Sequence, residues 1–248
     1  MAIALSAVGI GLYGLSFLNA IVRARHIPEE RPYGLLQTKP KALLADDYYM
    51  VSFGLHVFFG AVSIIVGWAQ FVDSWRQKQP IVHRWLGRIY VGSVMISAPA
   101  VFIVGSHSTG GAIPAAGFSG LALFWIASTA SAVSAIRGSP RQLVGHQKAM
   151  ILSYAMTLSA VSIRIYLGII IGATGDSALA LQIGSWLCWL PHLVPVYFLW
   201  RRIDRRAAEK LAKVRASVAK TLVQEEEARH ENGHVSSEAE SEFESARG

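Results

Sequence analysis

The feature that most constrains this chain is a series of six apolar segments, each close to the length that a helix needs to cross a bilayer. A hydrocarbon core about 30 Å thick requires roughly 20 apolar residues in a helix. The predicted spans cover residues 3–22, 48–72, 85–104, 112–136, 150–171 and 178–200. We therefore predict an all-α fold, a polytopic transmembrane helix bundle with about six spans and the lipid bilayer as its partner.

The composition agrees with a membrane location and excludes several other classes. Hydrophobic residues make up 52% of the chain and charged residues only 16%, against about a quarter charged in soluble domains. The net charge of +7 does not indicate a nucleic-acid partner, because the cations lie in short loops between apolar runs. The single cysteine, Cys188, rules out a disulfide framework and a cysteine-based metal site, and no metal site is predicted.

The charges between the spans predict the orientation of the chain. The loops after the second and fourth spans, and the start of the tail, carry many cations: Arg76, Lys78, Arg84, Arg137, Arg141, Lys148, Arg201, Arg202, Arg205 and Arg206. The positive-inside rule then places both termini in the cytosol. The first loop opposes this orientation, because it carries Arg23, Arg25, Arg31, Lys39 and Lys41. No basic residue follows Met1, which favours an uncleaved first span over a signal peptide.

The segment after the last span changes character abruptly. Residues 201–224 repeat apolar side chains at helical spacing among many cations, which predicts a basic amphipathic helix in the cytosol. Such a helix either lies on anionic head groups or is simply solvated, and the pattern favours neither. Residues 225–248 are acidic and polar, and their composition predicts disorder.

Ionisable groups at membrane depth are costly, so each one is a candidate for function. His56, Arg164 and His192 lie within predicted spans, whereas His83, His107 and His146 lie at or near span ends. No Asp or Glu falls inside a predicted span except at its ends. This pattern argues against intramembrane transfer chemistry that uses paired aspartates and against carboxylate-based proton pumps.

Helical spacing groups these residues into two polar clusters. His146 and Arg164 lie on one face of the fifth predicted span, about 27 Å apart along its axis. His56 and Arg164 both lie about 10 Å below the outer boundary, so they could face one cavity, whereas His83 and His146 belong to the inner boundary. The alternatives are that Arg164 snorkels outward and that His56 is a neutral packing residue.

The combination of several spaced motifs resembles one known family. The motifs are His83-Arg84-Trp85-Leu86-Gly87-Arg88-Ile89-Tyr90, then Gly110-Gly111, Gly117-Phe118 and Trp125, then His146 to Met150, Tyr154 and Ala160-Val161-Ser162-Ile163-Arg164. They are similar to predicted multi-pass membrane proteins grouped as domain of unknown function 2306. The resemblance implies a recurring polar set at His56, at His83 to Tyr90, and at His146 with Arg164, while Gln147-Lys148-Ala149 departs from the family pattern.

These residues are compatible with three functions. The first is a b-type haem or transmembrane electron-transfer protein, similar to two-haem ascorbate-reducible cytochromes, with His83 and His146 toward the cytosol and His56 with His107 toward the outside. The second is a binding or transport protein for an anionic amphiphile, and the third is an enzyme acting on an apolar metabolite. The predicted polar cavity comprises Arg164, His56, Arg88, Tyr90, Gln70 and His192.

Overall fold

The computed structural model describes Gly9, Leu36, residues 38–140 and residues 142–245, without the side chains of residues 73–75 and 226–245. The predicted first span, 3–22, lies outside the described residues apart from Gly9. The same holds for the three arginines of the first predicted loop and for Arg141. The predicted orientation and the uncleaved first span therefore stay predictions.

The described chain is helical, and five stretches of helix are long and apolar enough to cross a membrane. The α-helices are α1 (Lys41–Leu44), α2 (Asp47–Gly67), α3 (Asp73–Lys78), α4 (Pro80–Ser106), α5 (Ala112–Arg137), α6 (Leu143–Thr174), α7 (Ser177–Leu187) and α8 (Leu193–Ser245). No described residue lies in a β-strand. The prediction of an all-α membrane bundle is confirmed, and five described spans agree with about six in total.

Local sequence signals set the helix ends. Asp46 caps α2, because its carboxylate accepts hydrogen bonds from the backbone nitrogens of Tyr48 and Tyr49 at 2.8 and 3.3 Å. Asp176 caps α7 in the same way. Both α4 and α6 begin earlier than the apolar segments predicted, since a helix continues past the hydrocarbon core. His83 and His146 therefore lie in the first turns of helices rather than in loops.

The last predicted span, 178–200, is interrupted in the structure. Helix α7 ends at Leu187, a 3-10 turn covers Leu190–His192, and α8 begins at Leu193. Pro191 explains the break, because proline has no backbone N–H and disfavours helical geometry in the residue before it. The interruption lets His192 reach α6, where its Nδ1 contacts the carbonyl oxygen of Ala155 at 2.8 Å.

Small residues allow the helices to approach each other closely. Helix α2 packs along α4, and α5 packs along α6, as expected for membrane helices that associate through small side chains. A Cβ atom added to Gly67 would lie 2.5 Å from the Tyr154 ring and 2.9 Å from the Tyr90 ring. Glycine is therefore required where α2 crosses these two tyrosines.

The described chain divides into two units, residues 1–199 and residues 200–248. The second unit is the continuation of α8, and the side chains from Arg201 to Gln224 are mostly exposed within it. The disorder predicted for residues 225–248 stays a prediction, which amide hydrogen exchange would test.

Candidate functional site

A cavity of about 120 Å³ lies among α2, α4, α5 and α6, next to Cys188. Its lining is mostly apolar and includes Ile64, Val101, Phe118, Leu121, Met156 and Ile163. His56 and Arg164 contribute the basic groups, and the described lining contains no Asp or Glu. Two residues that the sequence placed at the same depth therefore meet at one cavity, which we call the outer cavity.

The His56 ring is fixed by the neighbouring helix. Its Nδ1 lies 3.1 Å from Ser97 Oγ and 3.4 Å from the Ser97 carbonyl oxygen. The Ser97 hydroxyl donates to the backbone oxygen of His56 at 3.0 Å, so this hydroxyl accepts at Nδ1. The proton of the neutral ring therefore sits on Nδ1. This leaves Nε2 as an acceptor that becomes a donor when the ring is protonated.

Arg164 brings a permanent positive charge to the same cavity. The guanidinium donates a hydrogen bond to the carbonyl oxygen of Ala160, one turn earlier in α6. This bond holds the side chain against its own helix. A guanidinium has five N–H donors in a planar fork, and that geometry matches a carboxylate or phosphate.

A network of buried hydroxyl groups adjoins the cavity. Tyr90 is fully buried, and its hydroxyl lies 2.8 Å from Ser153 Oγ and 2.9 Å from Thr157 Oγ1. The network also includes Thr129, which lies 2.7 Å from Ser153, and Trp125, whose indole nitrogen donates to Thr157 at 3.0 Å. Since Thr157 and Trp125 also line the cavity, this network fixes one of its walls.

A second polar group, which we call the inner cluster, consists of Gln70, His83 and His146. The Gln70 amide is satisfied when its nitrogen donates to His83 Nδ1 at 3.1 Å and its oxygen accepts from the Gly87 nitrogen at 3.2 Å. His146 Nδ1 lies 2.8 Å from the carbonyl oxygen of Ala132. Both imidazoles lie in the first turns of their helices, His83 in α4 and His146 in α6.

The remaining predicted site residues lie outside the cavity lining. Arg88 is exposed, with its guanidinium 4.8 Å from the centre of the Trp85 ring. His192 bridges to α6 through Ser162, 2.9 Å from its Nε2. Tyr90 belongs to the hydroxyl network and Gln70 to the inner cluster. Of the predicted polar cavity, the described cavity lining includes only His56 and Arg164.

His107 lies at the end of α4, in contact with the segment before α2. Its Nδ1 lies 2.9 Å from the carbonyl oxygen of Ile103, and its ring meets Tyr49 edge-on at 5.5 Å. The Lys39 ammonium donates to the backbone oxygen of His107. Burial lowers the pKa of Lys39 from its ordinary value.

The predicted pair of His56 and His107 does not fit a haem held by two imidazoles. Two axial nitrogens on one iron lie about 4 Å apart, because a metal–imidazole bond is about 2 Å long. His56 contacts Ser97 on α4. His107 lies ten residues after Ser97, which is about 15 Å along the helix, so His56 and His107 are too far apart to bind one iron. In the inner cluster the Gln70 amide lies against His83 Nδ1, at 3.1 Å.

The predicted haem b stays a prediction. Among the described residues no group of three or more His, Cys, Asp or Glu side chains could hold a metal ion. The absorbance spectrum of the purified protein tests the haem directly. A Soret band that shifts on reduction with dithionite would support it, and we expect a colourless protein.

Several functional partners were not identified from the sequence. Ser97 and Thr129 each make buried hydrogen bonds between helices, but serine and threonine in spans usually bond to their own backbone. Ser128 does this, and Thr129 does it as well as contacting Ser153. The signal that could have identified Ser97 is its place opposite His56, and this requires the packing of α2 on α4.

Comparison with known proteins agrees with the motifs. The model of a family described as predicted membrane protein (DUF2306) matches residues 53–200. The chain belongs to this family. No curated protein and no solved structure matches the chain.

Proposed function

We propose that this member of the DUF2306 family of predicted membrane proteins binds an amphiphile with a single anionic head group, a carboxylate or a phosphate, in the outer cavity. One observation carries the proposal. Arg164 and His56 lie on the same small cavity, and most of its remaining lining is apolar. An apolar cavity with a few convergent polar groups is the usual form of a small-molecule site.

The charges of the cavity select the head group. A guanidinium stays protonated at any physiological pH, and its fork binds carboxylate or phosphate oxygens through two parallel hydrogen bonds. In surroundings of low dielectric constant, such charge-assisted hydrogen bonds are stronger than they are in water. Arg164 therefore favours an anion over a neutral group of the same size.

His56 adds a proton to the bound state. Because Ser97 occupies Nδ1, only Nε2 can serve a ligand. It either donates to an anion once the ring is protonated or accepts from a protonated acid while the ring is neutral. Both arrangements hold one proton between His56 and the head group, so release of the ligand is coupled to loss of that proton.

The size of the cavity limits what can enter. Sites for drug-sized ligands span about 300–1,000 Å³, and this cavity measures about 120 Å³. It therefore takes a head group and a few carbon atoms. The rest of the ligand would extend along apolar residues such as Phe118 and Ile163.

The proposal is tested by ligand-dependent stabilisation of the purified protein in detergent. Alkyl carboxylates and alkyl phosphates are compared with alcohols of the same chain length. At a ligand concentration one hundred times the Kd, binding stabilises the folded state by about 2.7 kcal/mol. For a chain of this size each kcal/mol raises the unfolding midpoint by about 2–4 °C.

Three variants assign the effect to the cavity. Arg164→Ala removes the stabilisation by anions, whereas Arg88→Ala keeps it, because Arg88 is exposed and stacks on Trp85 outside the cavity. Arg164→Lys retains part of the effect, since lysine keeps the charge and loses the fork. Equal stabilisation by the alcohols, or full stabilisation of Arg164→Ala, would refute the proposal.

A further inference from the structure

The segment that follows the last span is a continuous helix with one unpartnered apolar face. Helix α8 includes residues 201–224 without interruption. Leu211, Val214, Val218 and Leu222 are each between 51% and 58% exposed. Large apolar side chains in water are unfavourable, so a row of them on one helix indicates a surface that is covered in the working protein.

The apolar side chains lie within a narrow arc. At about 100° per residue, Ile203, Ala207, Leu211, Val214, Val218 and Leu222 fall within about 100° of the helix circumference. The arc is bordered by Lys210 on one side and by Arg215 on the other. Ala216 lies on the opposite side of the helix from Val214. This distribution is typical of a helix that lies in a membrane interface.

The charge of the segment identifies the surface that covers the apolar face. Residues 201–224 contain eight Lys and Arg residues but only two acidic residues, Asp204 and Glu209. A second copy of the same helix would bring like charges together, which opposes a pair formed through this face. A bilayer leaflet that contains anionic lipids offers both the apolar depth and the opposite charge.

The place of the segment in the chain supports the same partner. It forms the C-terminal part of the last membrane-length stretch of helix, Ser177–Glu225, and follows directly on the predicted span 178–200. A segment joined to a span is held at the bilayer surface by the chain itself. Association with lipid then needs no encounter from solution, so modest attraction is sufficient.

We infer that residues 201–224 form an amphipathic helix that lies on an anionic membrane surface, with the arc from Ile203 to Leu222 in the lipid and the cations among the head groups. This inference is independent of the ligand proposed for the outer cavity. It would apply equally if that cavity bound nothing.

The test measures the depth of two neighbouring positions in the full chain. Val214→Cys and Ala216→Cys are made in a Cys188→Ala background, since Cys188 is the only cysteine. Each protein is spin-labelled and reconstituted into vesicles of phosphatidylcholine, with or without phosphatidylglycerol. Accessibility to oxygen, which partitions into lipid, is compared with accessibility to a water-soluble nickel chelate.

We expect the oxygen-to-nickel ratio at Val214→Cys to rise several-fold when phosphatidylglycerol is present and to fall again in high salt. The ratio at Ala216→Cys should stay at its aqueous value. Replacing Lys210, Lys213 and Arg215 together by Glu should abolish the rise at Val214→Cys.

Three results would overturn the inference. The first is an aqueous ratio at both positions in both kinds of vesicle. The second is an equal rise at both positions, because lipid then covers no particular face. The third is dipolar broadening between labels at Val214→Cys in separate copies, because the apolar arc would then be covered by a second chain.

Discussion

The outer cavity contains His56 and Arg164, and the inner cluster contains Gln70, His83 and His146. The two regions differ in the partners of their polar atoms. In the inner cluster the Gln70 amide bonds to His83 and Gly87, and His146 bonds to a backbone oxygen. In the outer cavity His56 Nδ1 bonds to Ser97. His56 and Arg164 both line this cavity, and the rest of its lining is largely apolar.

This difference distinguishes polar groups that hold helices together from polar groups that line a binding site. Polar groups that hydrogen-bond to one another fix the geometry of the helices, because a buried polar group without a hydrogen bond destabilises the folded state. An apolar cavity on which a few polar groups converge is the usual form of a small-molecule site. We therefore assign the inner cluster to assembly of the bundle and the outer cavity to binding, and four predictions test this division.

The largest effect is expected from the close packing at the C-terminal end of α2. Gly67→Ala should destabilise the protein by about 1–3 kcal/mol or more, because its Cβ would overlap the Tyr154 and Tyr90 rings. Gly60→Ala is the matched control on the same helix, since its Cβ would meet only Ser97 Oγ at 3.4 Å. Unfolding by SDS in mixed micelles measures both, and equal loss of stability would contradict the difference in packing.

The next effect comes from the hydroxyl network that forms a wall of the cavity. Tyr90→Phe removes the hydroxyl that bonds to Ser153 and Thr157. The expected cost is about 1–2 kcal/mol, because both partners keep another hydrogen bond, to Thr129 and to Trp125. The same unfolding titration measures this cost, and an unchanged midpoint would show that the network contributes no stability.

A smaller effect is expected in the inner cluster. Gln70→Leu leaves His83 Nδ1 without its donor, at a cost of about 1 kcal/mol. Stabilisation by an alkyl carboxylate should stay equal to that of the unsubstituted protein. Loss of stabilisation by the ligand in a folded Gln70→Leu variant would contradict the assignment of binding to the outer cavity alone.

The smallest effect concerns the proton shared by His56 and the head group. Among the described lining residues the groups that titrate or carry charge are His56, Arg164 and Cys188. If the complex holds one proton more than its separated parts, affinity falls as the pH rises, by at most about tenfold per pH unit. His56→Gln should flatten this dependence while still bonding to Ser97, which binding titrations at several pH values would show. An unchanged slope in His56→Gln would place the proton elsewhere.

The sequence predicted the fold well and the site in part. Apolar length alone identified the spans, and helical spacing placed His56 and Arg164 at one depth, where the structure has them on one cavity. Helical spacing wrongly assigned Arg88 and His192 to the cavity lining, because the depth of a residue along a helix does not determine which neighbouring helix its side chain contacts. The predicted span 178–200 runs through the break after Leu187, since Trp189 and Leu190 keep the segment apolar there.

Equilibrium binding of one alkyl carboxylate to three proteins tests the central claim most directly. The unsubstituted chain, Arg164→Ala and His83→Ala are compared by calorimetry in the same detergent, with the fold of each checked by circular dichroism. The outer cavity as the binding site predicts that Arg164→Ala binds at least about tenfold more weakly, a loss of about 1.4 kcal/mol, and that His83→Ala binds as tightly as the unsubstituted chain. Equal weakening in the two folded variants, or no weakening in Arg164→Ala, would contradict it.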